Sequence, residues 1–273
     1  MRINNNMMAI NTHRQLGIST NAGAKSMEKL SSGFRINRAA DDAAGLSISE
    51  KMRGQIRGLN MASKNSQDGI SLIQTAEGNL NEVSAMLVRV RELATQAANG
   101  TYDATNDLER IQEEVTELSK QINDIKDNSK FNGIALLDGT QSGITLQIGA
   151  AKGQELTLDT AKFSLSGVAK AVSGYKLSTQ SGAQQVLSGI EDQINAVSKA
   201  RSYLGANQNR LEHTIKNLDV YAENLQAAES RIRDVDMAKE MMEQTRQNIL
   251  QQASTAMLAQ ANQAPQTVLQ LLR

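Results

Sequence analysis

The sequence predicts a mainly α-helical protein, built as a long antiparallel coiled-coil rod that carries small β-hairpins. Apolar residues recur at alternating three- and four-residue spacing over long stretches, which is the pattern of a helix that buries one face. Only 3% of the 273 residues are aromatic, so few large side chains are available for a thick globular core. One internal region changes to a period of two between glycine-containing turns, as short hairpins do.

The longest helix is predicted between residues 48 and 97. Its ladder of apolar positions continues for about seven heptads, although Gln55, Ser66 and Gly69 interrupt it. A pattern of this length is that of a coiled-coil helix. The apolar members of the ladder are Ile48, Met52, Leu59, Ala62, Ile73, Ala76, Leu80, Val83, Leu87, Val90, Ala94 and Ala97.

A second, shorter helix is predicted over residues 108–125. Asn106 and Glu109 stand at the spacing of a capping box, in which each side chain satisfies a free backbone N–H of the other. The preceding sequence NGTYDATND is rich in turn residues. It is therefore expected to fold this helix back onto the first.

A third helix is predicted over residues 187–232. Apolar residues then continue at seven-residue steps, which predicts that the helix extends into the C-terminal region. Pro265 is expected to end it, because proline lacks the backbone N–H that a helix interior requires. The extension comprises Val235, Met242, Ile249 and Ala256.

Between residues 126 and 182 the apolar period changes from that of a helix to that of a strand. The stretches FNGIALLDG and ITLQIGAAKGQELTLDT alternate apolar and polar residues. They predict β-hairpins at about residues 130–160. The following segment, at about residues 164–183, is rich in serine, glycine and alanine and is expected to form a short surface loop. The turn pairs are Asn132-Gly133, Asp138-Gly139 and Lys152-Gly153.

The overall composition excludes several classes of protein. The chain has 29 basic and 29 acidic residues, so no net field favours nucleic acid or an anionic membrane. No stretch approaches the roughly 18 consecutive apolar residues of a membrane span. The N-terminal residues lack the pattern of a secretory signal peptide. With no cysteine, disulfides and thiolate chemistry are excluded.

The sequence offers little that could serve as a catalytic or metal site. Asp41 and Asp42 could form an acid/base pair, but adjacent carboxylates before a helix are the usual groups for its free N–H ends. Gly33 and Gly45 flank them, so this stretch is interpreted as a joint between two helices. The two histidines lack any short ligand-spacing motif. We expect no catalytic residue, no cofactor-binding residue and no metal ligand.

The two ends of the chain have thin apolar faces. Residues 1–32 carry sparse apolar positions, and residues 236–273 are rich in alanine, glutamine and methionine. An isolated helix of this kind is marginal in water. Both tails are therefore expected to be largely disordered in the monomer and to fold on partners.

Four long stretches resemble bacterial flagellin, the subunit of the flagellar filament. They are MRINNN, EKLSSGFRINRAADDAAGLSISEKMRGQIRGL, LVRVRELATQAANGT, and the C-terminal AESRIRDVDMAKEM through ILQQASTAMLAQANQAPQTVLQLLR. The resemblance covers about residues 1–150 and 190–273. It implies a short form with a minimal variable outer domain, because few residues separate the hairpins from the third helix.

The resemblance implies three regions. Residues 1–45 would be the N-terminal part of the inner-tube domain and the spoke, which contains Gly33, Asp41, Asp42 and Gly45. Residues 46–233 would be the rod, and residues 234–273 the C-terminal helix of the inner tube. The terminal helices would pair and become ordered on polymerisation. The residues expected to mediate polymerisation are Ile3, Met7, Ile10, Met242, Ile249, Leu269, Leu271 and Leu272.

The resemblance also implies partners and a location. The protein would be exported through the flagellar type III apparatus, with a chaperone on its C-terminal tail, and would meet filament-cap and hook-junction proteins in an extracellular filament. No nucleic acid, cofactor or membrane insertion is expected.

The resemblance further implies recognition by the Toll-like innate immune receptor for flagellin. Similar flagellins contact this receptor at the positions that match Arg89, Leu93 and Glu114. From the residues alone, Arg89 is a charge on the solvated flank of a coiled coil.

Two alternatives stay open at this point. A hook–filament junction protein would share the terminal helices and the export route. A secreted coiled-coil adhesin or effector would remain soluble or bind host cells without polymerising. The joint match at both ends of the chain favours a filament subunit.

Overall fold

The computed structural model describes residues 6–101, 103 and 106–271, with side chains described as far as residue 264. Its contacts form two units. The core unit is Arg57–Ala222; the terminal unit is the described chain up to Ile56 and from Glu223 onward. The elements are α1 Met7–Ser32, α2 Ala43–Ala97, α3 Asp107–Asn128, β1 Lys130–Phe131, β2 Ile134–Ala135, β3 Ile144–Gln147, β4 Glu155–Leu158, a 3-10 turn Thr160–Lys162, α4 Ser166–Ser173, α5 Gln180–Arg233 and α6 Met237–Leu271.

In the core unit, α2 and α5 pack antiparallel. Ser63 donates a hydrogen bond to Asp219 at 3.2 Å, and Arg91 donates to Glu191 at 3.0 Å. Higher residue numbers on α2 therefore pair with lower residue numbers on α5, as in two helices that run in opposite directions.

The predicted ladder of apolar residues on α2 is confirmed within the core unit. Its first predicted member, Ile48, belongs to the terminal unit and is exposed. The buried members are Leu59, Ala62, Ile73, Ala76, Leu80, Val83, Leu87, Val90, Ala94 and Ala97.

The helix α3 adds a third layer to the core unit. Its buried face includes Leu108, Val115 and Ile122, as the sequence predicts. The predicted capping box is wrong. Asn106 has helical backbone angles and its side chain caps no N–H of the helix. It donates instead to the Asp103 side chain at 3.4 Å.

Two antiparallel hairpins follow, as predicted. In β1–β2, Lys130 pairs with Ala135 across a turn formed by Asn132 and Gly133, which both have positive φ. The hairpin β3–β4 lies on α2 at a position where the ladder is interrupted. A Cβ added at Gly69 would come within 2.5 Å of Leu146 Cδ1. The missing side chain at Gly69 therefore makes room for the hairpin.

The prediction of a surface loop over residues 164–183 is wrong. The helix α4 lies there, and Val168, Ala169 and Val172 are buried in the core. The serine and glycine content indicated a loop, but the three- and four-residue spacing of these apolar residues gives a short helix one buried face. Leu177, which follows α4, is also buried.

The third predicted helix is interrupted in the terminal unit. The helix α5 ends at Arg233 and α6 begins at Met237, where Asp236 accepts hydrogen bonds from the N–H groups of Ala238 and Lys239 at 3.1 and 3.2 Å. The prediction that Pro265 ends the helix is also wrong, because α6 continues to Leu271. One proline removes one backbone donor from this long helix. Among the described residues, none of the helices contains an apolar stretch of the length that a bilayer span requires.

Candidate assembly interface

The helices α1 and α6 form an antiparallel pair in the terminal unit. At one end, the side chain of Asn6 donates to the Ala261 carbonyl at 2.7 Å and also caps α1 by accepting from the Ala9 N–H at 3.2 Å. Nearer the other end, a Cβ at Gly23 would lie 3.7 Å from Gln247 Cβ. This is an ordinary van der Waals distance, so the two helices lie in contact at Gly23.

The residues buried in this pair are small or polar. On α1 they are Ser19 and Ser26, and on α6 they are Gln244, Ser254 and Ala261. Such side chains bury little apolar area, and apolar area supplies most of the free energy of packing, at about 25 cal/mol per Å². The pairing of α1 with α6 therefore stabilises both helices only weakly.

Most of the large apolar side chains of the same helices face outward, and three leucines are partly buried. Ile10 and Ile249, which the sequence identified as polymerisation residues, are 55% and 60% exposed. Met7 and Met242 are exposed as well. Contiguous exposed apolar surface on a folded element marks an interaction site. The full outward set is Met7, Met8, Ile10, Ile18, Met27, Met237, Met241, Met242, Ile249, Leu250 and Met257.

Sequence reasoning named only part of this surface. It did not single out Met8, Ile18 and Leu250. A search for apolar positions on more than one face of each terminal helix could have identified them. Four other predicted residues cannot be placed on it: Ile3 and Leu272 lie outside the described residues, and Leu269 and Leu271 belong to α6 but their side chains lie outside the described part.

The joint between α1 and α2 is bound to the break between α5 and α6. Gly33 ends α1 in the left-handed conformation, with φ at 76°, and its N–H donates to the Lys29 carbonyl at 2.9 Å. The Gly33 carbonyl accepts from the Val235 N–H at 3.0 Å, and the Arg35 N–H donates to the Arg233 carbonyl at 2.6 Å. These backbone hydrogen bonds hold the segment that follows α1 beside the segment that joins α5 to α6.

Arg233 reinforces this joint with its side chain. Its guanidinium lies 4.8 Å from the centre of the Phe34 ring, within cation–π range, and donates to Glu50 at 2.8 Å. Ile36 follows Phe34 by two residues. Among the described residues of the terminal unit, it is the one large apolar side chain that is fully buried. The joint is thus the best-packed part of this unit.

Asp41 and Asp42 are bound to backbone N–H groups. Asp42 accepts from the Gly45 N–H at 2.8 Å at the start of α2. Asp41 accepts from the N–H groups of Arg38 and Asn37 at 3.0 and 3.2 Å. The bond from Arg38 is the main cause that holds the pKa of Asp41 below its ordinary value; the Asn37 bond acts in the same direction, and desolvation opposes both.

Gly45 is closely surrounded at this joint. A Cβ there would lie 2.5 Å from Asp42 Oδ2 and 2.8 Å from Ile36 Cδ1. Real Cβ atoms do not approach other atoms so closely, so any larger residue would displace the capping carboxylate or the buried Ile36. Glycine at this position therefore allows the Asp42 carboxylate and the Ile36 side chain to approach α2 closely.

The three predicted receptor residues are not all at the surface. Arg89 on α2 donates to Glu114 on α3 at 2.8 Å and to Glu92 at 3.1 Å, and these bonds, that of Glu114 first, raise the pKa of Arg89. Leu93 is only 2% exposed. Leu93 therefore cannot supply the expected apolar contact area in this conformation, because its side chain is buried in the core cluster.

Within the described residues, no group of three or more His, Asp or Glu side chains is placed to hold a metal ion. The acidic side chains at the joint and on the α2–α3 face instead bind backbone N–H groups and arginines. This arrangement positions helices, and it presents no nucleophile beside a base.

The chain is similar to flagellins over its whole length. The profile of the bacterial flagellin N-terminal helical region matches residues 3–142, and that of the bacterial flagellin C-terminal helical region matches residues 187–272. Flagellin from Halalkalibacterium halodurans is 60% identical over 273 residues, and flagellin from Bacillus subtilis is 53% identical over 304 aligned residues; both alignments cover 100% of each chain. The crystal structure of Bacillus cereus flagellin matches with a TM-score of 0.52 and 30% identity, covering 61% of this chain and 94% of its own.

Proposed function

Because the chain belongs to the bacterial flagellin family, we propose that it is the structural subunit of a flagellar filament that drives swimming motility. The role is structural and requires neither a catalytic residue nor a cofactor. The subunit works outside the cell, after export through the flagellar type III apparatus. Its proposed partners are copies of itself, an export chaperone on the C-terminal tail, and the filament-cap and hook-junction proteins.

One observation carries this proposal: the α1–α6 pair buries small or polar residues, while most of its large apolar residues lie outside. Ordering the backbone costs about 1–2 kcal/mol per residue, and α1 and α6 comprise 26 and 35 residues. Buried serines and alanines cannot offset that cost in a single chain. Packing of the outward apolar faces between subunits can, so polymerisation and folding of the tails are coupled.

Repetition of one such contact produces the polymer. When a surface of one copy binds a different surface of the next, the contact does not close on itself and the copies form an open helical filament. Outward apolar residues on both α1 and α6 supply two such surfaces. The predicted disorder of the tails before assembly belongs to this mechanism and remains a prediction.

Seeded polymerisation of Ile249→Glu tests the proposal. Purified monomer is added to short filament seeds, and helicity is followed by circular dichroism while filaments are imaged by electron microscopy. The wild-type chain should elongate the seeds with a gain in helical signal. The variant should not elongate them, because it would bury an unpaired charge between subunits.

Two controls keep this result specific. Ile249→Leu preserves the apolar surface and should polymerise. Gln251→Glu adds the same charge two residues away, about 200° around the helix, and should reduce polymerisation less. Thermal unfolding of the core unit should be the same in all three variants. A wild-type chain that stays soluble with seeds and gains no helix would contradict the proposal.

We further propose that the α2–α3 face is recognised by the Toll-like innate immune receptor for flagellin. Arg89 and Glu114 have half-exposed side chains, 50% and 44%, and lie side by side, so both can reach a partner at once. Leu93, four residues after Arg89 on α2, is a buried member of the core cluster and would act by supporting this helix. Charged groups fixed in this way give specificity to an interface.

Alanine at Arg89 tests this recognition. Arg89→Ala should reduce receptor signalling by about tenfold or more, since it removes a charge-assisted contact and leaves Glu114 unpaired. Arg91→Ala is the matched control, because Arg91 is equally exposed on the same helix but turns to Glu191 on α5. Unchanged signalling by Arg89→Ala, or equal loss in both variants, would contradict a specific role for this face.

A further inference from the structure

The exposed sulfur of this protein is concentrated in the terminal unit. Seven of the eleven methionines lie on α1 or α6 and are 48–67% exposed. Met86 is packed against the core, and Met61 is an exposed methionine of the core unit. The chain has no cysteine and no tryptophan, so methionine is its most readily oxidised residue. The seven are Met7, Met8, Met27, Met237, Met241, Met242 and Met257.

The antiparallel register gathers these methionines into two groups. Asn6 meets Ala261 at one end, so Met7, Met8 and Met257 lie at the same level of the pair. Gly23 faces Gln247 further along, which brings Met27 level with the stretch that contains the other three methionines. The apolar positions between the two groups are Ile10, Ile18, Ile249 and Leu250, which peroxide does not oxidise.

We propose that these seven methionines form an oxidation site, at which hydrogen peroxide or an alkyl hydroperoxide converts the thioethers to sulfoxides and prevents assembly. In each event the peroxide O–O bond breaks and one oxygen bonds to the methionine sulfur. Water or an alcohol leaves, so the sulfur is oxidised by two electrons and the peroxide is reduced by two. A methionine sulfoxide reductase reverses the step with a thiol reductant: two thiols are oxidised to a disulfide, and the oxygen leaves as water.

The assembly effect rests on the proposed function, in which the outward face of the pair is buried between subunits. A sulfoxide is strongly polar, and burying it without a hydrogen-bond donor costs free energy. Assembled subunits exclude solvent from the same sulfur atoms, so polymerisation protects them. Peroxide therefore inactivates free chains for assembly, whereas the methionines of chains already in a filament are protected from oxidation.

Peptide mass spectrometry combined with seeded polymerisation tests this site. Monomer and filament are treated with hydrogen peroxide, and the rate of sulfoxide formation is measured at each methionine. In the monomer the seven should oxidise faster than Met86, and in the filament they should be protected. The oxidised monomer should need at least about a tenfold higher concentration to elongate seeds, and reductase treatment should restore elongation.

A variant with all seven methionines changed to leucine is the decisive control. It keeps the apolar surface and retains Met61 and Met86, so peroxide treatment should leave its assembly unchanged. Two partial variants, M7L/M8L/M257L and M27L/M237L/M241L/M242L, test each group if the full variant assembles poorly before treatment. Each should retain part of its assembly after oxidation.

The outcomes separate this inference from the proposed function. If untreated wild-type chain elongates seeds and the oxidised chain does so within about twofold of it, the oxidation proposal is overturned and the filament proposal stands. Equal loss of assembly in the treated leucine variant also overturns it, because other residues would then be responsible. Failure of the untreated chain to elongate seeds would overturn both proposals.

Discussion

The core unit and the terminal unit are both built from long antiparallel helices, yet they bury opposite kinds of residue. In the core unit, Leu80, Leu87 and Val90 are fully buried between α2 and its neighbours. In the terminal unit, serines lie between α1 and α6 while the described methionines and isoleucines of these two helices face out. Helical secondary structure is thus common to both, but only the core unit has its own hydrophobic core.

This contrast indicates where each unit obtains its stability. Burying a leucine or valine side chain contributes about 1.5–3 kcal/mol, and the core unit buries many of them in one continuous cluster. The terminal unit keeps that contribution on its surface, available to another molecule. We infer that the core unit folds in the monomer, and that the terminal unit reaches full order only against other subunits.

The largest effect should come from truncating a buried leucine of the core unit. Leu87→Ala should lower the free energy of unfolding by about 2–5 kcal/mol, because it removes apolar contacts and leaves a cavity. Its neighbour Val88 is 45% exposed, so Val88→Ala should cost less than about 0.5 kcal/mol. Urea denaturation of the two monomeric variants measures the difference. Equal losses would contradict the assignment of a closed core to this unit.

Much of the helical fold could be predicted from the sequence, because apolar periodicity reports one buried face directly. The ladder along α2 was correct from Leu59 to Ala97. It identified the face toward α5 but missed Leu93, which is also buried in the core cluster. One ladder of apolar residues marks one buried face of a helix. It cannot identify a second buried face, because that face depends on where a further helix packs.

Composition was a poorer guide than spacing. Serine and glycine indicated a loop where α4 buries Val168 and Val172. Conversely, the apolar spacing placed Met242 in the extension of the third helix, and only the structure shows that its side chain is exposed, because that depends on which side of α6 faces α1. The sequence predicted some of the residues of the candidate assembly surface. Whether each residue faces the partner helix or points outward could be decided only from the register of the α1–α6 pair.

A smaller effect is expected at the joint, the best-packed part of the terminal unit. Gly45→Ala should destabilise it by about 1–3 kcal/mol, because the added Cβ collides with Asp42 and Ile36. Gly54, also on α2, has open space around it, so Gly54→Ala should stabilise by about 0.5–1 kcal/mol. Melting of seeded filaments measures both changes. A stabilising Gly45→Ala would mean that the joint is loosely packed, like the rest of the unit.

The smallest effect should be a pH dependence that originates at Asp41. Its pKa is lower in the folded chain than in the unfolded chain, chiefly through the Arg38 N–H. Its contribution to stability is therefore present above the unfolded-state pKa, about 4, and is lost as the pH falls through the folded-state pKa. The melting temperature of the wild-type chain should exceed that of Asp41→Asn near pH 6, and the difference should shrink on acidification. A difference between wild type and Asp41→Asn that stays constant down to low pH would assign the effect to side-chain shape rather than to charge.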